Sequence, residues 1–299
     1  MTTKSLVKDK FLQLNAADYT DRGKRRAVNE DTVFHQTNHL NDGRSAGLYL
    51  ICDGMGGLNG GDVASQMVTN KMVAELADLF YPTSWVSADE QRTEPAFCTL
   101  TRHLEKAVEA ANRELYSYSQ EKLEFARRMG TTVTVALIYG KWLHIAHVGD
   151  SRAYLLRAGQ LTPLTRDHSM AVELLNAGLL DPAKSFKHPT RNKLLRAVGV
   201  EENVKVDVCT QEIQAGDKIL LCSDGLWQAF PDETDLEKWL DSPTDPAELV
   251  RQLGAEARER DGSDNISAVL ITIDEMYSWD LPIVRAVAQI IRDDLAVAR

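Results

Sequence analysis

The sequence predicts an α+β fold in which antiparallel sheets are covered by helices. Three observations carry this. Strand-like and helix-like stretches come in blocks rather than in strict alternation. Two neighbouring apolar runs, TTVTVALIY and WLHIAHV, are separated by Gly140-Lys141, a tight hairpin signal. Two long segments repeat their apolar residues at helical spacing.

Taken in order, residues 14–20 and 31–37 read as short strands around a loop of basic and acidic residues, and 47–52 as a buried strand. A helix follows, with Val63, Met67, Met72, Leu76 and Phe80 at helical spacing. Residues 81–95 carry Pro82, Ser84, Ser87 and Pro95 and read as a loop, and Leu100, Leu104, Val108, Ala111 and Leu115 mark a second long helix. After the hairpin, RAYLLR forms a third strand beyond a break at Gly149-Asp150-Ser151. Residues 165–203 depart from the pattern and read as mixed short helices. VKVDVCT and KILLCSD return to strand, 233–260 is helical with a break at Pro243 and Pro246, and NISAVLITI is the last strand. Leu281, Val284, Ala288, Ile291 and Leu295 share one face of an amphipathic helix over 278–297. The organisation is one domain over 1–275 with a helical extension over 276–299, without repeats or a low-complexity linker.

With 299 residues, 43% hydrophobic and 26% charged, the chain has the composition of a folded protein with a sizeable core. The net charge of −10 disfavours nucleic acid and anionic membrane surfaces. The four cysteines form no CxxC pair, and Cys52 and Cys222 sit inside apolar runs as small core residues. MTTKSLVKDK contains no apolar signal core, and no apolar run reaches bilayer-spanning length. A cytoplasmic location is therefore expected.

The chemistry is carried by acids at strand ends. Asp53 ends YLICDG, Asp150 ends AHVGD, Asp224 ends ILLCSDG, Asp264 precedes the final strand, and Glu30-Asp31 precede another. Any one Asp-Gly is ordinarily a turn. Several acids at strand ends suggest one rim, where bare carboxylates would repel and one would take up a proton. A divalent cation removes that penalty, and all-oxygen ligands select Mg²⁺ or Mn²⁺. The glycines after Asp53 give a bare backbone on which the Gly54 carbonyl could ligate directly.

RAVNED (26–31), DGMGG (53–57), GTT (130–132), VGDSR (148–152), SDGL (223–226) and DN (264–265), in this order, resemble the type 2C metal-dependent serine/threonine protein phosphatases in their bacterial form. The resemblance spans about 14–273. It implies an αββα sandwich, two antiparallel sheets flanked by helix pairs, with a binuclear Mn²⁺ or Mg²⁺ centre between the sheets. Asp53 would bridge two metals, the Gly54 carbonyl would hold one, and Asp224 and Asp264 the other. Glu30 and Asp31 would act through water, and Asp150 with Asp224 would hold a third ion. Arg26 would clamp the substrate phosphate, making Arg26, Asp53 and Asp224 the catalytic group. The implied reaction is hydrolysis of phosphoserine and phosphothreonine in proteins, by in-line attack of a metal-bridging hydroxide without a phosphoenzyme. The implied setting is signalling opposite a serine/threonine kinase, as a monomer acting on phosphoproteins.

Animal members place a histidine after the Asp-Gly pair, where this chain has Met55. His168, in RDHSM, is the candidate to protonate the leaving group, and His144 and His147 read as packing or supporting residues. Residues 165–203 coincide with the family's flap. Lys184, Lys187, Arg191, Lys193 and Arg196, with His188, lie in a stretch without acids, and Lys187, Arg191, Lys193 and Arg196 are candidates for reading an acidic phosphorylated substrate. The competing reading of the charges is a solvated face. Two other functions compete. One is a silent phosphoprotein-binding module on the same fold, against which every expected metal-site acid is present. The other is an aspartyl-phosphate enzyme, which calls for Asp-x-Asp where this chain has Ile51 two residues before Asp53.

Overall fold

A computed structural model describes residues 10–40, 44–56, 60–79, 97–121, 129–181, 190 and 193–277. Its strands form two antiparallel sheets. The first takes β1 (Lys10–Asp21), β11 (Ile266–Tyr277), β10 (Lys218–Cys222), β7 (Arg152–Arg157) and β8 (Gln160–Pro163), in that spatial order. The second takes β2 (Asp31–His39), β3 (Ser45–Met55), β5 (Val133–Tyr139), β6 (Trp142–Val148) and β9 (Asp207–Glu212), with the two-residue β4 (Gly130–Thr131) beside the end of β3. Helices α1 (Gly61–Leu76) and α2 (Phe97–Glu121) pack on the second sheet. Helix α6 (Pro246–Arg260) covers β1 and β11 of the first, and α5 (Glu233–Leu240) lies against α6 and β8. Two further helices are short, α3 (Met170–Asn176) and α4 (Asp224–Trp227). The predicted α+β class and the αββα layering both hold.

Alternation along β3 shows what drives the stacking. Leu48, Leu50 and Cys52 join α1 and α2 in one core, while Tyr49 and Ile51 join Ile219, Leu221, Val269 and Ile271 of the opposite sheet in another. Both faces of β3 are thus buried, which is why it reads as an unbroken apolar run. Each fully buried large side chain contributes roughly 1.5–3 kcal/mol. Cys52 and Cys222 are buried as expected, each facing a helix layer.

Several local expectations change. The buried stripe of α1 is Ala64, Val68, Met72 and Leu76 with Ser65 and Thr69, and Val63 is exposed. A small residue and two hydroxyls face the sheet where a hydropathy reading places Val63, because α1 lies close against β3. The last strand runs to Tyr277, paired along its length with β1, so it crosses the boundary drawn at 275. β9 starts at Asp207, three residues later than the run VKVDVCT suggests. Strand β8 and helix α4 were not foreseen. The loop over 81–95, Phe80 and the helix over 278–297 lie outside the described residues.

Candidate metal and phosphate site

The space between the sheets changes character at one end. Tyr49 and Ile51 point into it, so by the two-residue period Asp53 does too. Asp31 is the cross-strand partner of Asp53 in the β2–β3 ladder. On other strands the same parity turns inter-sheet residues into Thr134, His147 and Ser267, all buried. The apolar core therefore ends in a polar, acid-bearing rim.

Asp53 is fixed through its backbone. Its N–H donates to Thr132 Oγ1 (2.9 Å), and its carbonyl accepts from Thr132 N–H (2.8 Å) and Thr131 Oγ1 (2.9 Å). Thr132 Oγ1 also bonds Ser151 Oγ (2.7 Å), tying the β3 exit to the turn that carries Asp150. Gly54 N–H donates to Glu30 O (3.1 Å). A Cβ on Gly54 would lie 2.0 Å from Gly61 O and 2.5 Å from Glu30 O, so three segments meet there only because the residue is glycine. Glu30 is buried against the start of α1, where its carboxylate accepts the Gly61 N–H, and burial pushes its pKa up.

The opposite wall comes from the first sheet. Asp224 opens α4, with Gln228 Nε2 on its Oδ2 (2.9 Å), and Trp227 Nε1 donates to the Asp150 carbonyl (2.9 Å). Behind them Arg152 makes a two-pronged pair with Asp167 (2.9 Å each) and lies over the Trp227 ring at 3.6 Å. Asp264 accepts from Asn265 N–H through Oδ1 (2.8 Å) and from Arg26 through Oδ2 (2.6 Å). Asn265 holds the entering loop by accepting Glu30 N–H (2.8 Å) and donating to the Arg22 and Val28 carbonyls (3.0 Å each).

The acids act on one another. Burial, then Asp31, Asp224, Asp150 and Asp264, drive Asp53 well above the carboxylate range. Burial, then Asp150, Asp264 and Asp31, do the same to Asp224. Burial raises Asp31 to about 6, and burial with Asp167 raises Asp150 to about 7. Neither Asp31 oxygen is in hydrogen-bond geometry with a partner, although the Ser223 and Ser267 hydroxyls lie beside it. Such a cluster fits a divalent cation, since buried, mutually repelling, all-oxygen donors are what a hard ion neutralises. Among the described residues no group of three or more His, Cys, Asp or Glu side chains stands close enough together to hold a metal ion by itself.

The chain matches the family model described as Protein phosphatase 2C over residues 21–255.

The chain belongs to the protein phosphatase 2C family.

It is 36% identical over 263 residues to the serine/threonine phosphatase stp of Listeria monocytogenes serotype 4b, covering 87% of this chain and 96% of that protein. It is 37% identical over 273 residues to the serine/threonine protein phosphatase PstP of Mycobacterium tuberculosis, covering 91% of this chain and 48% of that longer protein. The crystal structure of the Mycobacterium tuberculosis phosphatase PstP/Ppp superposes with a TM-score of 0.73 at 34% identity, covering 87% of this chain and 99% of that one. The PstP catalytic domain in complex with two manganese ions gives 0.71 at 33% identity, covering 88% and 99%. Within this protein phosphatase 2C fold, Arg26, Glu30, Asp31, Asp53, Gly54, Asp150, Asp224 and Asp264 come together on one rim.

His168 is placed differently from its expected role. Its Nδ1 accepts the Gly149 N–H (3.1 Å), so the neutral ring carries its proton on Nε2, 3.0 Å from Asp207 Oδ2. Burial lowers its pKa, and its buried Nε2 lies beside Asp207 Oδ2 without hydrogen-bond geometry, turned toward that carboxylate. His147 packs against it with ring centroids 4.8 Å apart, and His144 is buried on the other face of β6 near Thr101 and Thr210. Of the flap residues, Lys193 is exposed, while Arg196 is paired with Asp207 at 2.7 Å. Lys184, Lys187, His188 and Arg191 lie outside the described residues. Sequence reasoning gave no separate role to Thr131, Thr132, Asn265, Trp227 or Asp207. For all but Trp227 and Asp207 the signal was present in the short motifs GTT and DN.

Proposed function

We propose that the rim hydrolyses phosphoserine and phosphothreonine monoesters in proteins, with Mn²⁺ or Mg²⁺ as cofactor. That the chain is a protein-serine/threonine phosphatase follows from its family. The observation that carries the mechanism is the burial of the neighbouring Asp53, Asp224, Asp150 and Asp31 carboxylates, which raises all four and which a pair of divalent ions would relieve. Asp53, the Gly54 carbonyl, Asp224 and Asp264 would hold that pair, with Glu30 and Asp31 reaching it through water. Asp150 with Asp224 would offer a third position. The bound ions supply a water acidic enough to serve as nucleophile near neutral pH.

The chain's own groups orient the ester. Arg26 is half exposed at the mouth, held by Asp264 at 2.6 Å and 3.9 Å from Glu30 Oε2, and its planar fork has further donors for phosphate oxygens. The Asp-x-Asp pair of an aspartyl-phosphate enzyme is missing at this strand end, since Ile51 occupies the second position before Asp53 and faces the apolar core. Phosphorylated proteins are the substrates, a serine/threonine kinase is the opposing activity, and signalling is the setting. Lys193 and its neighbours on the flap attract the acidic surroundings of the phosphoresidue. No helix among the described residues is long and apolar enough to cross a membrane.

The test is hydrolysis of a phosphothreonine peptide in EDTA, Mg²⁺ or Mn²⁺ by wild type and Asp224→Asn. Activity that requires metal and disappears in the variant is expected. A folded wild type inactive with either metal would overturn the reading.

A further inference from the structure

Within residues 165–203 a short ladder that the family motifs do not mention joins two described segments. Met170 N–H donates to Lys193 O (2.9 Å), Leu195 N–H donates to His168 O (2.8 Å), and Ser169 and Leu194 form the bridge between them. Residues 168–170 and 193–195 are therefore its two stems. The ladder is only one bridge long, and so few backbone bonds do not hold a stem firmly against solvent. Beside it lies Asp207, the first residue of β9 and the cross-strand partner of His147 in β6.

Asp207 joins three parts. One carboxylate oxygen accepts from Arg196 at 2.7 Å, immediately after the second stem. The other lies 3.0 Å from His168 Nε2 at the root of the first stem. His168 in turn is bonded twice to Gly149, accepting its N–H at 3.1 Å and donating its own N–H to the Gly149 carbonyl at 2.7 Å. Gly149 adopts φ +120°, and a Cβ there would strike Thr132 at 2.5 Å, so this turn is a close-packed point next to Asp150. Although burial acts in the opposite direction, Arg196 and His168 bring the Asp207 pKa down to about 2.

We propose that Asp207 is a positioning residue that clamps residues 168–170 and 193–195 to the Gly149–Asp150 turn, so that the exposed Lys193 meets a protein substrate at a set distance from the carboxylate rim. Arg196 thereby acts as a strut of the flap, and the inference rests on the phosphatase reading for its catalytic consequence. Among the described residues Asp207 pairs with Arg196 and His168 and not with the rim acids or Arg26, so a small ester needs the clamp far less than a phosphoprotein does.

The experiment compares wild type with Asp207→Asn and Asp207→Glu, by amide hydrogen exchange and by kinetics on a phosphothreonine peptide and a small aryl phosphate. In Asp207→Asn the Gly149, Met170 and Leu195 amides are expected to exchange about 10-fold or more faster, while core strands such as β3 are unchanged. KM for the peptide is expected to rise roughly 3- to 10-fold, with kcat on the aryl phosphate within about twofold. Asp207→Glu recovers part of both effects, and Arg196→Gln combined with Asp207→Asn adds nothing further. Unchanged exchange at those three amides overturns the clamp, as does acceleration throughout the domain with an equal loss on both substrates. If wild type hydrolyses neither substrate, the phosphatase reading fails, and the exchange result still decides the clamp.

Discussion

Asp31 and Asp53 sit directly opposite each other across the β2–β3 ladder, both aimed into the end of the inter-sheet space. Like charges in this relation are destabilising, and burial magnifies the penalty. The pair is stable as two carboxylates only with positive charge between them, which makes the rim a place where function opposes stability.

Metal-free protein should show that opposition. The folded-state pKa of Asp31 is about 6 and that of Asp150 about 7, both above the usual value of 3.8. A raised carboxylate contributes stability below the unfolded pKa and loses it as pH rises through 6 to 7. In EDTA at pH 8, Asp31→Asn should therefore raise the melting temperature by a few degrees, corresponding to roughly 1–3 kcal/mol. Mn²⁺ should stabilise wild type more than the variant. Thermal unfolding with and without Mn²⁺ measures both, and a lower melting point for Asp31→Asn in EDTA would contradict the account.

Acid should act through the buried histidines in the opposite direction. His147 is lowered from 6.5 to about 3 by burial and by His168, and burial alone lowers His144 to about 4. Both are neutral in the fold, and their contribution is complete above pH 6.5 and lost as pH falls toward 4 and 3. His147→Asn should lose less stability than wild type between pH 7 and 5. Urea midpoints at the two values give the comparison.

Gly54→Ala should cost both stability and activity. Its Cβ would enter contact at 2.0 Å with a backbone carbonyl of α1 and at 2.5 Å with that of Glu30, neither of which is a flexible side-chain end. A loss of about 2–4 kcal/mol is expected by urea unfolding, with metal affinity reduced. Gly178→Ala, where nothing lies within 4 Å, should cost only the backbone strain of φ +68°, about 1 kcal/mol.

Arg26→Ala should lower kcat/KM on a phosphopeptide by about 10- to 100-fold, and Arg26→Lys should restore little of it, because a point charge lacks the fork. Equal activity of the Lys variant and wild type would remove the bidentate role. Melting temperatures should change little, because Arg26 is half exposed and such ion pairs contribute at most about 1 kcal/mol.

The fold was legible where local pattern and tertiary demand agree. The apolar run into Asp53 marked β3, and the Gly140-Lys141 break marked the β5–β6 hairpin. It was less legible at α1, where hydropathy favours Val63 but close approach to β3 selects Ala64 and Ser65. Arg196 and His168 show the same divide more sharply. One read as a free cation and the other as a proton donor, yet each is engaged by Asp207, which lies 11 and 39 positions further along the chain.

By itself, then, the sequence determined the α+β class, the acids available for a rim and the glycines that let backbones meet there, because strand parity and the absence of a Cβ are local properties. Only the tertiary structure decided that Asp31 faces Asp53, that Arg26 rests on Asp264, and that Arg196 and His168 meet at Asp207. Those pairings depend on register and on how two sheets stack, and neither is written in the spacing of residues along one strand.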